Sequence, residues 1–153
     1  MQVIFLDFDG VLHPYGEQAV DENFRLIGNP NLFVWLPILD SLLAPYPAVR
    51  IVVSSDWRRL FDDKALIRLL GPLGSRFEGV VETYRSSRAD EIMAEAHRRR
   101  LTQWLAIDDH PSVVSASRRD ERYIACEPET GIAAAGPQSK LRFRLTRLVR
   151  SDS

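Results

Sequence analysis

The chain has 153 residues, of which 45% are hydrophobic and 27% are charged, and its formal net charge is −1 at pH 7. This length and composition are typical of one soluble globular domain, over residues 1–153. The net charge excludes a surface that is basic overall, so binding of nucleic acid would need a local basic site. A single cysteine excludes an internal disulfide, no signal peptide is recognisable, and the longest apolar stretch is too short to span a bilayer, so we expect a cytoplasmic protein with no membrane contact.

Five short apolar segments have the length and residue types of β-strands. None of them alternates strictly between apolar and polar residues, which is typical of strands buried on both faces of a parallel sheet. The predicted strands are residues 3–8, 50–53, 79–81, 104–107 and 123–126.

Helical patterns lie between these strands. The predicted helices are residues 32–43, where Pro37 either begins or bends the helix, 57–70, closed by Gly71 and Pro72, 89–96, with Ser86 or Ser87 as cap, and 137–150. Strands that alternate with helices predict an α/β fold, a Rossmann-like three-layer sandwich around a central parallel sheet. Residues 13–30 are polar and rich in turn residues, and we expect a flap over one sheet edge there.

Polar side chains follow three of the predicted strands at the point where each strand ends. The carboxyl ends of parallel strands meet at one edge of a sheet, where ligands bind in open α/β folds. We therefore expect four carboxylates and two hydroxyls to converge on one rim: Asp7 and Asp9, Ser54 and Ser55, and Asp108 and Asp109.

Carboxylates gathered in this way repel one another unless a cation lies between them. Oxygen ligands without a His or Cys cluster favour Mg²⁺ over Zn²⁺. A carboxylate beside Mg²⁺ can act as a nucleophile and form an aspartyl-phosphate, while a hydroxyl such as Ser54 and a cation hold the phosphoryl oxygens. Arg88, at the start of "RADEIMAEA", is the best-placed cation.

Structural interpretations of the same residues remain open. Ser54, Ser55 or Asp56 could cap a helix that begins at Trp57, and the strand-end aspartates could be turn residues. Arg88 could be a solvated surface charge in a first helical turn.

Three further residues near these motifs have a weaker signal. Arg58 could reach the rim and bind substrate or remain at the surface. Trp57 is expected in the core, and His13 is expected to be a loop histidine rather than a substrate contact.

In this order the motifs resemble those of the haloacid dehalogenase (HAD) superfamily of phosphohydrolases. "DFDGV" is similar to its first motif, "IVVSS" to its second, Arg88 at the start of a helix to its third, and "AIDD" to its fourth. More narrowly, "DFDGVLHP", "VSSDWR", "IDD" and the later "ETGI" resemble the HAD domain of Swiss Army Knife RNA repair proteins and of small free-standing relatives.

The resemblance implies a role for each matching residue. Asp7 would be the nucleophile, and Asp9 the general acid and base. Ser54 and Arg88 would bind the transferring phosphoryl group, although Ser55 could replace Ser54. The third motif usually has lysine, so Arg85 and Lys64 are rivals to Arg88. Mg²⁺ would be bound by Asp7, by Asp9 through its backbone carbonyl, and by Asp108, with Asp109 as a ligand or a neighbour of the ligands.

The resemblance also bears on the substrate. Family members that act on small metabolites generally carry a sizeable inserted cap, and here neither interval between motifs has room for more than a flap. An open rim would admit a phosphate on a large molecule, such as a nucleic-acid end or a phosphoprotein, unless a neighbouring subunit closes the site. The alternatives are a metal-dependent nuclease and a catalytically silent module that binds phosphorylated ends or a protein partner.

Overall fold

In the computed structural model of the chain, the structure describes residues 1–15 and 31–150, the last two by their backbone only. Within these ranges five parallel strands form one sheet: β1 (Gln2–Leu6), β2 (Val49–Val53), β3 (Phe77–Val80), β4 (Gln103–Asp108) and β5 (Tyr123–Ala125). Their order across the sheet is β3-β2-β1-β4-β5, so β1 is central and lies between β2 and β4. The predicted α/β architecture with a central parallel sheet is confirmed.

The helices of the described part are α1 (Leu36–Leu43), α2 (Asp63–Leu69), α3 (Arg88–Arg98), α4 (Pro111–Ser117) and α5 (Ala135–Arg150). Short 3₁₀ turns occupy Asp56–Arg59, Gly71–Arg76 and Gly131–Ala133. Over residues 1–15 and 31–150, no helix is both long and apolar enough to cross a membrane.

The sheet has a separate hydrophobic core on each face. Alternate residues of β1 point to opposite faces, because successive side chains of a strand do so. Ile4 and Leu6 pack in the core beneath α1, α2 and α5, and Val3 and Phe5 pack in the core beneath α3 and α4. All four side chains are fully buried, each contributing about 1.5–3 kcal/mol to folding. The two cores make the predicted three layers.

Two predicted helices have different boundaries in the structure. The single helix over 57–70 is wrong: the chain forms a 3₁₀ turn and then α2, because the Asp62 side chain accepts a hydrogen bond from the Ala65 N–H and starts a new helix. Pro37 lies in the first turn of α1, so the helix begins there rather than bending. Helix α4, capped by His110, was not predicted.

The flap predicted over residues 13–30 lies mostly outside the described residues, which resume at residue 31. His13, at the start of that segment, is fully buried, and Tyr15 is exposed. The imidazole therefore belongs to the interior of the domain rather than to an exposed loop.

Candidate active site

The turn after β1 brings the first motif against the end of β4. The Gly10 N–H donates to the His13 carbonyl (2.8 Å), and Gly10 has a φ of 75°, a conformation that favours glycine. A Cβ at Gly10 would lie 2.1 Å from Oδ2 of Asp109. The glycine of "DFDG" therefore permits both the turn and the close approach of the Asp109 carboxylate.

Three carboxylates form a cluster at the ends of β1 and β4. One oxygen from each of Asp7, Asp108 and Asp109 lies within 4.8 Å of the others. Asp7 and Asp108 are buried, and the Asp108 Oδ1 accepts a hydrogen bond from the His110 N–H (2.9 Å). Burial, and next the charge of Asp108, raise the pKa of Asp7 well above its ordinary value, and burial also raises the pKa of Asp109. A hard cation with oxygen ligands would relieve this repulsion, so the donor set fits Mg²⁺.

The Asp9 carboxylate is not one of the three clustered carboxylates and contacts His13 and Trp57 instead. Its Oδ1 lies 2.7 Å from Nε2 of His13, and its Oδ2 accepts a hydrogen bond from Nε1 of Trp57 at 2.9 Å. The side chain of Asp9 is 33% exposed, so the carboxylate can still be reached from solvent. The metal contact that the resemblance implies for Asp9 goes through its backbone carbonyl, so this carboxylate is not one of the implied ligands.

Arg88 is the first residue of α3 and lies beside the acidic cluster. The Ser87 side chain caps the helix by accepting a hydrogen bond from the Asp90 N–H. Nη1 of Arg88 is 3.0 Å from Oδ2 of Asp108 and 3.5 Å from Oδ1 of Asp7. Burial alone would lower the pKa of Arg88, but these two carboxylates raise it above its ordinary value. The guanidinium is therefore always charged.

The rivals to Arg88 lie elsewhere in the structure. Arg85 is exposed and donates to the Tyr84 carbonyl (2.7 Å), and Lys64 is exposed in the first turn of α2. Among these three residues, Arg88 is the one for which the structure gives contacts with Asp7 and Asp108. The geometry therefore favours Arg88 for the third motif.

The two serines after β2 have different surroundings. Ser55 Oγ accepts a hydrogen bond from the Trp57 N–H (3.2 Å) and so caps the 3₁₀ turn. Ser54 is fully buried, and its Oγ has no hydrogen-bond partner among residues 1–15 and 31–148. The Ser54 N–H donates to the Leu6 carbonyl (2.9 Å), which holds the serine beside the end of β1. An unsatisfied buried hydroxyl at this position favours Ser54 over Ser55 as the phosphoryl contact.

Arg58 was expected either to reach the rim and bind substrate or to remain at the surface, and in the structure its side chain is buried. Its side chain is only 2% exposed and its guanidinium points inward, where burial lowers its pKa. The guanidinium joins the end of β2 to the end of β3 and to α3, so Arg58 stabilises the loops around the site. Its partners are the carbonyls of Ser54 (2.5 Å), Ser55 (3.1 Å) and Val81 (3.0 Å) and the carboxylates of Glu91 (3.3 Å) and Asp56 (3.7 Å).

The late "ETGI" motif supports the turn after β1. Gly131 has a φ of 51°, and a Cβ there would lie 2.5 Å from the Val11 carbonyl and 2.6 Å from the ring of Trp35. The Ile132 N–H donates to the same Val11 carbonyl (3.0 Å). The motif therefore needs glycine for close packing, and it fixes the loop that carries Asp7 and Asp9.

Comparison with protein families matches the chain to the HAD domain in Swiss Army Knife RNA repair proteins, over residues 3–136. The chain belongs to this family. The match runs from β1 to the start of α5 and so includes all five strands and every motif described above. A search of curated proteins and a search of solved structures each returned no significant match.

Family membership and geometry agree on the kind of module. The chain is a HAD domain with a Rossmann-like α/β fold, and a carboxylate cluster that could bind a metal lies at the carboxyl edge of its sheet. Sequence reasoning missed the contacts of His13 and Trp57 with Asp9. The nearest signal was their place inside the quoted motifs "DFDGVLHP" and "VSSDWR".

Proposed function

We propose that this HAD domain is a Mg²⁺-dependent phosphohydrolase that works through an aspartyl-phosphate on Asp7. The observation that carries the proposal is the position of Asp7, which is buried beside the cation Arg88 and the carboxylates of Asp108 and Asp109. A nucleophile beside both a carboxylate cluster that could bind a metal and a guanidinium is suited to the charge that develops on a transferring phosphoryl group.

The proposed reaction has two steps. In the first, an Asp7 oxygen attacks phosphorus, the bond from phosphorus to the leaving oxygen breaks, and Asp9 gives that oxygen a proton. In the second, Asp9 takes a proton from water, the water oxygen attacks phosphorus, and the bond to Asp7 breaks to release inorganic phosphate. Arg88 and the Ser54 hydroxyl bind the phosphoryl oxygens in both steps. Bound Mg²⁺, held by Asp7, Asp108, Asp109 and the Asp9 carbonyl, would neutralise the carboxylates and the phosphoryl charge.

We further propose a nucleic-acid phosphate end as the substrate. The family is described as a domain of RNA repair proteins. The rim also offers a surface for a base: Tyr84 is 64% exposed and has the guanidinium of Arg59 at 5.5 Å from its ring centroid. Arg59 and Arg88 both contact Oδ1 of Asp56, at 3.3 and 3.2 Å, so Asp56 links the pair of Tyr84 and Arg59 to Arg88, which supports this proposal. Aromatic and arginine groups of this kind stack on unpaired bases.

The first experiment measures phosphate release with Mg²⁺, with and without a chelator, from an aryl phosphate and from oligonucleotides phosphorylated at the 3′ or the 5′ end. We expect release that needs Mg²⁺ and that Asp7→Asn abolishes. Asp63→Asn, an exposed change in the first turn of α2, is the matched control and should keep full activity. Activity that survives in Asp7→Asn would refute the covalent mechanism. Cleavage of internal phosphodiesters would instead support a nuclease, and binding without turnover a silent module.

The substrate class is tested by Tyr84→Ala. We expect KM for the phosphorylated oligonucleotide to rise about 10-fold, since base stacking contributes about 1–3 kcal/mol, while KM for the aryl phosphate stays unchanged. Phe143→Ala, on the exposed surface of α5, is the control for loss of an exposed aromatic ring. Equal KM values for native protein and Tyr84→Ala on the oligonucleotide would remove this support for a nucleic-acid substrate.

A further inference from the structure

Both oxygens of the Asp9 carboxylate are engaged by two residues to which the proposed reaction gives no role. His13 Nε2 contacts Oδ1 at 2.7 Å, and Trp57 Nε1 donates to Oδ2 at 2.9 Å. His13 is fully buried and Trp57 is 4% exposed, whereas the Asp9 side chain is 33% exposed. Two rigid, buried rings thus hold a carboxylate that itself faces solvent.

The rings are fixed in turn by an aromatic cluster. The His13 ring lies 5.3 Å from that of Phe33 and 5.7 Å from that of Trp57, and Trp57 packs on Phe8 at 5.5 Å. Planar rings packed on one another have little rotamer freedom, so the two donors reach Asp9 from defined positions. The direction of the carboxylate is therefore set by the hydrophobic core beneath it.

One nitrogen of the His13 ring, Nδ1, makes no hydrogen bond with the residues that the structure describes. Asp9 is ionised when it takes the proton in the second step, and a hydrogen bond from His13 to that carboxylate needs the ring hydrogen on Nε2. Nδ1 is then a buried acceptor, and it has no partner among the residues that the structure describes. An apolar ring at position 13 would avoid that unfavourable burial. The bond to Asp9 is the contact that an imidazole makes here and an apolar ring could not.

We propose that His13 and Trp57 are positioning residues that keep the Asp9 carboxylate out of the acidic cluster and directed at the leaving oxygen. The proposal rests on the proposed phosphohydrolase function. Asp9 is two residues from Asp7, so a freely rotating carboxylate could join Asp7, Asp108 and Asp109 as a fourth acidic group. Proton transfer would then be lost, because a carboxylate bound to a metal no longer faces the ester oxygen.

The test replaces each donor by a ring that cannot donate, in His13→Phe and Trp57→Phe, and compares an alkyl phosphate with a nitrophenyl phosphate. Nitrophenolate leaves without a proton, so its kcat/KM does not depend on the acid in the first step. We expect kcat/KM for the alkyl phosphate to fall about 10²-fold and that for the nitrophenyl ester to change less than about threefold. With the nitrophenyl phosphate, the aspartyl-phosphate of each ring variant should accumulate in rapid-quench experiments, because the first step stays fast while the second step still needs Asp9.

Three controls separate positioning from a loss of structure. His13→Gln keeps an N–H donor and should recover part of the alkyl phosphate activity. Adding His13→Phe to Asp9→Asn should cause no further loss, because the group to be positioned is already gone. Phe61→Leu removes another ring that packs on Trp57, at 5.7 Å, and should leave the ratio between the two esters unchanged.

Equal losses on the two esters in both ring variants would overturn the proposal. If native protein hydrolyses neither these esters nor phosphorylated oligonucleotides, the proposed function fails. Whenever it hydrolyses neither ester, the positioning role is judged by Mg²⁺ affinity measured by calorimetry. Freed from His13, the Asp9 carboxylate should join the cluster, so His13→Phe should bind Mg²⁺ about 10-fold more tightly, an effect that Asp9→Asn cancels. Unchanged affinity in His13→Phe would overturn the proposal in that case.

Discussion

Replacing Gly10 by alanine should strain the turn after β1 and displace Asp109 from the acidic cluster. The backbone at Gly10 has a φ of 75°, which costs alanine about 1–2 kcal/mol. The added Cβ would lie 2.1 Å from Oδ2 and 2.5 Å from Cγ of Asp109, and real Cβ contacts are essentially never under 3.0 Å. The carboxylate must therefore move by about 1 Å, a displacement large enough at a catalytic centre to lower a rate about 10²-fold.

Adding an overpacking cost of about 1–3 kcal/mol to the backbone strain, we expect Gly10→Ala to lower the free energy of unfolding by about 2–5 kcal/mol. The assay is urea unfolding of native protein and variant, each with and without Mg²⁺. We expect the stabilisation by Mg²⁺ to be lost as well, because Asp109 no longer lies with Asp7 and Asp108.

Two other glycines separate the causes. Gly71 also has a positive φ, 54°, but an added Cβ would meet nothing within 4 Å, so Gly71→Ala should cost the strain alone, about 1–2 kcal/mol. Gly136 lies in the first turn of α5, where an added Cβ would meet nothing within 4 Å and the backbone φ is not positive. Alanine there should be neutral or stabilising by up to about 1 kcal/mol. The reasoning is refuted if Gly10→Ala is no less stable than Gly71→Ala and keeps the response to Mg²⁺.

Three further predictions concern ions, acid and the thiol. Mg²⁺ should stabilise the native protein by about 2.7 kcal/mol at 100 times Kd, and an equal rise in the melting temperature of Asp108→Asn would contradict the assigned site. Burial would raise the pKa of Glu95, but hydrogen bonds from Arg98, Arg99 and a backbone N–H lower it below 4.5, so its stabilising contribution is present above pH 4.5 and lost as the pH falls below it. Glu95→Gln should flatten that part of the stability curve, and an unchanged acid slope would rule this out. Burial raises the pKa of Cys126, so a thiol reagent at pH 7 should label it at the rate of unfolding, and rapid stoichiometric labelling of folded protein would disprove that.

The sheet and the convergence of its polar ends could be predicted from the sequence because both depend on local patterns. Continuous apolar segments indicate buried parallel strands, and parallel strands bring their carboxyl ends to one edge. Asp7 and Asp108 thereby come together, although they are far apart in the chain. The break between the 3₁₀ turn and α2 was missed, since the apolar periodicity continues through residues 60–62 and a single capping side chain decides the boundary.

Contacts that depend on tertiary packing could not be predicted. Nothing in the sequence shows that the Trp57 indole reaches Asp9, or that Arg58 turns inward to backbone carbonyls, because both contacts join loops after different strands. Helix α4 was missed for a different reason. It has seven residues, of which Val113 is buried, which is too short for a helical stripe to be recognised.

The central place of β1 in the sheet has a consequence for how the site comes into being. The strand is the first described element to leave the ribosome, yet its pairing partners are far along the chain: Gln2 pairs with Val49 on one side and with Gln103 on the other. Contacts between residues so far apart in the sequence form slowly, and the apolar surface of β1 stays exposed until they form. Asp7 is thus synthesised well before Asp108 and Asp109, so the acidic cluster cannot form in a nascent chain before β4 has docked.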